Sequence, residues 1–207
     1  AQNREERQAR VEKALEEAGL KPAHIFMNRL PHELSGGQRQ RVVIAAALVL
    51  EPEVLLADEP VSMLDVSIRA EILNLLAELR ERRGISVLLI THDLATSAYL
   101  ADRVAVMYLG RIVEQGETQA VLESPAHPYT QALLSVIPVP NPRKRRERII
   151  LQGQPPNPVQ VPTGCRFHPR CPKVMERCRV EDPALAAVGA GSHQAACWLV
   201  TGGGLDE

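Results

Sequence analysis

Three clusters of polar residues in this 207-residue chain have the types and spacing to do chemistry. The first is Leu34-Ser35-Gly36-Gly37-Gln38, followed at once by the helix-forming run Arg39 to Leu48. A serine that can cap, two glycines without Cβ and a helix behind them leave the first backbone N–H groups open. Those donors and the positive pole of the helix dipole both favour an anion such as phosphate. The second cluster is Asp58-Glu59, which ends the apolar run Val54 to Ala57, together with Thr91-His92-Asp93 at the end of a second apolar run, Ile85 to Ile90. The third is Cys165, Cys171, Cys178 and Cys197, the only cysteines of the chain. Thiols gathered in this way imply a shared ligand or a local staple, and a cytosolic protein does not normally keep disulfides. Zinc sites draw on pairs roughly two to four residues apart, whereas an iron–sulfur cluster takes four thiolates at varied spacing. The gaps here are five, six and eighteen residues, and free thiols are the remaining reading.

The elements that must position these groups are those of an α/β domain. Ser67 to Arg83 carries Ile68, Ile72, Leu75, Leu76 and Leu79 on one helical face and meets Gly84 as a stop. Two short apolar runs joined by such a helix predict neighbouring parallel strands, which can bury fully. Ligands in such sheets gather at the carboxyl ends of the strands, where Asp58, Glu59 and His92 stand. Helices are predicted over residues 3–19 and 38–50, a hairpin around Leu109-Gly110, a short helix from Glu117 to Glu123 and another from His127 to Ile137. Beyond Pro125 the composition shifts. Prolines at 138, 140, 142, 155, 156, 158 and 162 predict an extended linker, and Arg143 to Arg148 holds five basic residues.

Composition narrows the classes. With 45% apolar and 24% charged residues the chain is globular in type. A net charge of −1 gives no electrostatic case for wrapping nucleic acid. No apolar stretch reaches the roughly 20 residues that span a bilayer, and no signal peptide is evident.

In their order and spacing, Leu34 to Gln38, Asp58-Glu59, Ser62-Met63-Leu64-Asp65 and His92 closely resemble the ATP-binding subunit of ABC transporters. The resemblance implies a partial P-loop NTPase core, α/β with a mostly parallel sheet and a helical subdomain. It implies that Ser35, Gly36, Gly37 and Gln38 press on ATP held by a second subunit, with Asp65 aligning the pair across their interface. Asp58 then takes Mg²⁺, Glu59 orients or deprotonates the attacking water and His92 contacts the γ-phosphate. Met63 stands where the family commonly has Ala, and Ala46 where it usually has Arg. No G-x-x-x-x-G-K-[ST] loop occurs in the sequence, so the expectation is an N-terminally truncated chain that does not hydrolyse ATP by itself.

His127-Pro128-Tyr129-Thr130 and the run Gly164 to Pro172 resemble the C-terminal extension of the oligopeptide, dipeptide and nickel branch of ABC importers. The expected division is residues 1–125 for the ATPase portion and 126–207 for a small irregular extension. Through that branch the four cysteines imply a 4Fe-4S cluster ahead of zinc, with His168 and His193 as lesser candidate ligands. The implied partners are a second ABC ATPase subunit, two permease subunits and, indirectly, an external solute-binding protein, with no nucleic acid. The implied location is peripheral, on the cytoplasmic face of the cell membrane. Peptide is the leading substrate, ahead of nickel or small sugars. The rivals are a soluble ABC ATPase of DNA repair or chromosome organisation, against which no sustained heptad appears, and a metal-bearing interaction module.

Overall fold

Helix α1 (Arg4–Glu17) begins where the Asn3 side chain accepts the Glu6 N–H at 2.7 Å, and it stops at Gly19, whose φ of +81° lies in the left-handed region. The computed structural model describes residues 3–137, 147–154 and 156–201, which form two compact units dividing between Thr96 and Ser97. Prolines 138, 140, 142 and 155 and the start of the basic run at Arg143 lie outside the described residues.

In the first unit α1 is followed by α2 (Gly36–Leu48), β1 (Val54–Asp58), α3 (Val66–Arg83) and β2 (Ser86–Ile90). The two strands pair in parallel, Val54 opposite Ser86 through Asp58 opposite Ile90, so both chains end at one edge of the sheet. Helix α3 starts with Asp65 accepting the Ile68 N–H at 3.0 Å. It ends at Gly84 with φ +66°, behind a last turn carrying Arg80, Arg82 and Arg83, where cations complement the helix dipole. Ile72, Leu75, Leu76 and Leu79 of α3 join Ala14, Leu15, Ile44 and Leu48 in the buried set. Two arginines tie the helices together at their ends. Arg41 donates to Ala18 O and to Glu71, and Arg83 donates to Leu48 O and to Glu17.

The strands do not bury fully, contrary to the expectation from their composition. Strand β1 buries Leu55 and Ala57 but exposes Val54 and Leu56, and Leu88 and Ile90 of β2 are exposed as well. A strand sends alternate side chains to opposite faces, and among the described residues only one face of this two-stranded sheet is packed.

In the second unit α4 (Leu94–Leu100), which straddles the division, leads into β3 (Arg103–Tyr108) and β4 (Arg111–Glu117). Leu109 and Gly110 both have positive φ, +46° and +74°, which is what a two-residue hairpin turn requires. Helices α5 (Thr118–Glu123), α6 (Pro128–Ser135) and α7 (Glu176–Val180) follow, and short strands β5 (Ala186–Ala187) and β6 (Gln194–Ala195) extend the sheet in the order β3-β4-β6-β5. The hairpin thus shares one sheet with the cysteine-bearing segment, and that sheet crosses the boundary expected at residue 125. Tyr108, Val113, Val121 and Phe167 form its core, with Tyr108 edge-on to Tyr129 and to Phe167 at centroid distances of 4.7 and 5.2 Å.

Candidate functional site

In the first unit the chemistry gathers at two helix starts and two strand ends. Ser35 caps α2: its Oγ accepts the Gln38 N–H at 3.2 Å while Gln38 Oε1 accepts the Ser35 N–H at 3.0 Å. This reciprocal capping box occupies the side chains of both residues. The N–H groups of Gly36 and Gly37, between them, have no partner among the described residues. Gly36 is exposed and Gly37 buried. A Cβ on Gly37 would stand 2.6 Å from Ile68 Cγ2, so the glycine lets the start of α2 lie directly against the start of α3. Gly36 is less constrained, its nearest neighbour being Leu64 Cδ2 at 3.6 Å. The loop at Ser35 to Gln38, called the signature loop below, therefore packs beside Leu64-Asp65, and Asp65 is occupied as the cap of α3.

At the strand ends Asp58 is exposed and closes β1. Glu59 continues the ladder, its N–H donating to Ile90 O at 2.9 Å, and then turns into the left-handed region with φ +44°. Such a conformation is costly for a side-chain-bearing residue and gathers at working sites. Its carboxylate meets His92, Oε1 to Nδ1 at 3.1 Å, with both side chains open to solvent. Residues drawn from two different strands are thus joined at the sheet edge where ligands collect. Asp93, at the start of α4, accepts from Thr96 Oγ1 at 3.2 Å and from Arg69 at 3.4 Å, while Arg69 also donates to Leu64 O. A charged groove of about 740 Å³ among α1, α2 and α3 contains none of Ser35, Asp58, Glu59 and His92 in its lining.

In the second unit all four cysteines are free thiols lining one small cavity with His127, Phe167, His168 and Trp198. Cys165 and Cys178 are held together by the backbone, the Cys165 N–H donating to Cys178 O at 2.8 Å. Gly164 makes this approach possible, since a Cβ there would come within 2.5 Å of Cys178 O. Burial pushes the Cys165 and Cys197 thiols up, and raises Cys171 to about 11, against the opposing pull of backbone N–H groups on each sulfur. The neighbouring sulfurs add to the rise in all three, which is the electrostatic mark of thiols facing one another. As they stand, no three His, Cys, Asp or Glu side chains among the described residues are grouped so as to hold a metal ion. The four cysteines share a pocket whose lining includes no carboxylate. Trp198 closes part of the wall, its ring stacked under the Arg177 guanidinium at 3.5 Å and its N–H donating to Glu181 O.

The centre of this unit is a residue that sequence reasoning did not single out. Glu114 is fully buried on β4, where Oε1 accepts the Ala126 N–H at 2.7 Å and contacts His193 Nε2 at 2.7 Å, and Oε2 accepts the His127 N–H at 2.9 Å. Gly116, two positions on and on the same strand face, leaves the space into which the His193 backbone fits; a Cβ there would stand 3.0 Å from His193 Cα. His193 is thereby turned to Glu114, away from the role of alternative metal ligand. His168 lines the cavity, yet its Nδ1 donates to Cys165 O at 3.0 Å. His127 is buried with its Nδ1 accepting the Tyr129 N–H at 3.1 Å, and burial lowers its pKa to about 4, partly offset by Glu114. The sequence signal for His127 was its place before Pro128, a proline at the first position of a helix. For Glu114 there was none, since β4 also carries Arg111, Gln115 and Glu117.

A parallel βαβ unit with a capped glycine loop at one helix start and an acidic pair at a strand end is the arrangement of an ATP-binding cassette, and residues 1–62 match the family described as ABC transporter. Residues 113–178 match the family described as oligopeptide/dipeptide transporter, C-terminal region. Among curated relatives, the dipeptide transport ATP-binding protein DppF of Haemophilus influenzae is 50% identical over 180 residues, 87% of this chain and 54% of the relative. The di/tripeptide transport ATP-binding protein DppF of Pseudomonas aeruginosa is 47% identical over 197 residues, 95% of this chain and 60% of the relative. The chain spans between 54% and 60% of the length of these relatives. Among solved structures, cbiO1 of Clostridium perfringens, described as part of the ABC transporter complex cbiONQ, is 36% identical with a TM-score of 0.54, over 60% of this chain and 48% of that one. The ATP-binding cassette MJ1267, in its ADP conformation, is 33% identical with a TM-score of 0.53, over 59% and 48%.

Proposed function

We propose that this chain supplies the signature loop, the metal-binding and water-positioning residues and the C-terminal extension of an ATPase subunit that energises an ABC importer of oligopeptides or dipeptides. The observation that carries the proposal is the 3.1 Å contact between Glu59 and His92 at the ends of two parallel strands, in a chain whose residues 1–62 match the ABC transporter family. Phosphoryl transfer to water asks little of a protein beyond positioning and charge stabilisation. Glu59 orients the water and accepts its proton as the bond to the γ-phosphorus forms and ADP leaves. His92, anchored on Glu59, presents its other ring edge to the γ-phosphate. Asp58 is the residue to hold Mg²⁺, which neutralises the phosphate oxygens when it is bound. The open N–H groups of Gly36 and Gly37, with the α2 dipole behind them, receive the triphosphate of a second subunit, and Ser35 and Gln38 keep that helix start rigid. Asp65, capping α3 beside the loop, sets its distance from the pair interface.

The partners in this reading are a second ABC ATPase, two permease subunits on the cytoplasmic side of the membrane and an external solute-binding protein. No described helix is long and apolar enough to cross a membrane itself. The match of residues 113–178 favours peptide over nickel or sugars. Cys165, Cys171, Cys178 and Cys197 are the residues to hold a 4Fe-4S cluster, with zinc as the alternative; in either case the centre would staple the loop-rich segment between residues 165 and 197. The test of the ATPase reading is Glu59→Gln in an assembled transporter: turnover falls by roughly 10²–10⁴-fold while ATP is still bound. Turnover at the wild-type rate would contradict it.

A further inference from the structure

We infer that Arg69 is a positioning residue: it holds the turn carrying His92 through Asp93 and ties that turn to the Ser62 to Asp65 loop through Leu64 O, so that the two stretches move together. The inference rests on the ATPase reading of Glu59 and His92. All of these residues belong to the first unit.

Arg69 is a cation in an unfavourable place. It closes the first turn of α3, its N–H donating to Asp65 O at 2.9 Å. That end of a helix is the positive pole of the dipole, so nothing in α3 itself calls for a guanidinium there. Side chains on a helix lean back toward its start, which brings the Arg69 head beside Leu64. Nη2 donates to Leu64 O at 3.4 Å and Nη1 to Asp93 Oδ2, also at 3.4 Å. Nε is enclosed without a partner among the described residues, so these two contacts are what the side chain gains by its position. A planar guanidinium has donors in fixed directions and reaches two acceptors at once, where a lysine presents one compact ammonium.

Asp93 is held from both sides. Its N–H donates to Thr91 Oγ1 at 3.0 Å, closing a turn with His92 inside it, and its Oδ2 accepts from Thr96 Oγ1 at 3.2 Å as well as from Arg69. Thr96 is buried, so the carboxylate is anchored on α4 and on α3. The Glu59 and His92 side chains are open to solvent, and a pair so exposed does little to hold itself in place. The aim of the His92 ring therefore comes from the turn that Asp93 fixes. At the other end Leu64 donates its N–H to Val61 O at 3.3 Å, and its Cδ2 would stand 3.6 Å from a Cβ on Gly36. Contacts thus run unbroken from the signature loop through Leu64, Arg69 and Asp93 to His92 and Glu59. In the ATPase reading the two ends of this path face different triphosphates, and Arg69 is the side chain that joins them.

Two measurements test this. Hydrogen exchange of the chain reads the tie itself, because the Leu64 and Asp93 amides are both hydrogen-bonded. In Arg69→Ala both should exchange about two- to fivefold faster, the range a part-exposed ion pair supports. Acceleration at one of the two alone, or at neither, overturns the tie. Turnover is then measured for the full-length subunit in an assembled transporter. Arg69→Ala should lower kcat by up to about 10²-fold, as a displaced catalytic group does, with KM for ATP unchanged. Arg69→Lys should recover part of the loss, and Arg69→Ala combined with Asp93→Ala should fall no further than Asp93→Ala alone. An unchanged kcat, a raised KM in its place or additive losses overturn the role of Arg69. Glu59→Gln beside them separates the failures: turnover lost there but kept in Arg69→Ala refutes the role of Arg69 alone, and turnover kept in both refutes the ATPase reading with it. Should Arg69→Ala not fold, Arg69→Gln, which keeps the stem without the charge or the fork, decides by the same two readings.

Discussion

The two glycines of the signature loop separate fold from function. In Gly37→Ala the new methyl would stand 2.6 Å from Ile68 Cγ2, so Ile68 or the start of α2 must give by nearly an ångström to reach ordinary contact. Forcing a methyl into a packed position costs roughly 1–3 kcal/mol, against which alanine recovers up to about 1 kcal/mol of backbone freedom. In Gly36→Ala the nearest atom is Leu64 Cδ2 at 3.6 Å, an ordinary contact, and only the gain remains. With a urea slope of about 2 kcal/mol per molar, Gly37→Ala should therefore unfold about 0.5–1.5 M earlier than Gly36→Ala, followed by circular dichroism of the chain. The exposed Gly36 methyl projects where a phosphate must approach the backbone, so Gly36→Ala should keep full stability yet weaken ATP-stabilised association with a second ATPase subunit. A Gly37→Ala protein as stable as Gly36→Ala, or a Gly36→Ala protein that associates as tightly as wild type, would refute this geometry.

Other outcomes follow from the same structure. His127 is buried neutral with its pKa lowered from 6.5 to about 4, so the unfolded chain takes up a proton that the folded one refuses. Stability should fall as pH drops below 6.5, by roughly 2 kcal/mol at pH 5, and level off below pH 4; urea unfolding of metal-free wild type against His127→Asn isolates the contribution, and equal slopes with pH would contradict it. Gly164→Ala should unseat the cysteine cavity, because φ is +66° and the added Cβ meets Cys178 O at 2.5 Å. The measurable sign is faster alkylation of Cys165 and Cys178, and unchanged rates would argue against the close approach.

Much of the polar cluster in the first unit was legible because it depends on local chemistry. Ser35 before two glycines and a helix-forming run reads as a cap, and the ends of Val54 to Ala57 and Ile85 to Ile90 point to the same sheet edge once the strands are parallel. The contact of Glu59 with His92 needs only that pairing. Gln38 was less transparent: its carboxamide is turned back on Ser35, a local hydrogen bond that competes with any ligand. The burial of β1 and β2 was overestimated because apolar composition says which residues can be covered, not which face finds a neighbour. In the second unit the spacing of the cysteines marked a cluster, but Glu114, His127 and His193 come together only through pairing of β4 with β6, 79 residues apart at Glu114 and His193. Contacts of that separation leave no periodic trace in a sequence.

The most direct test of the account is whether Ser35 to Gln38 receive a nucleotide that another subunit holds. Sedimentation velocity of this chain mixed with a P-loop-bearing ABC ATPase subunit made unable to hydrolyse ATP reads that event. The account predicts a faster-sedimenting complex with ATP and Mg²⁺ that disappears with ADP and is weakened by Gly36→Ala. Sedimentation indifferent to nucleotide would contradict it.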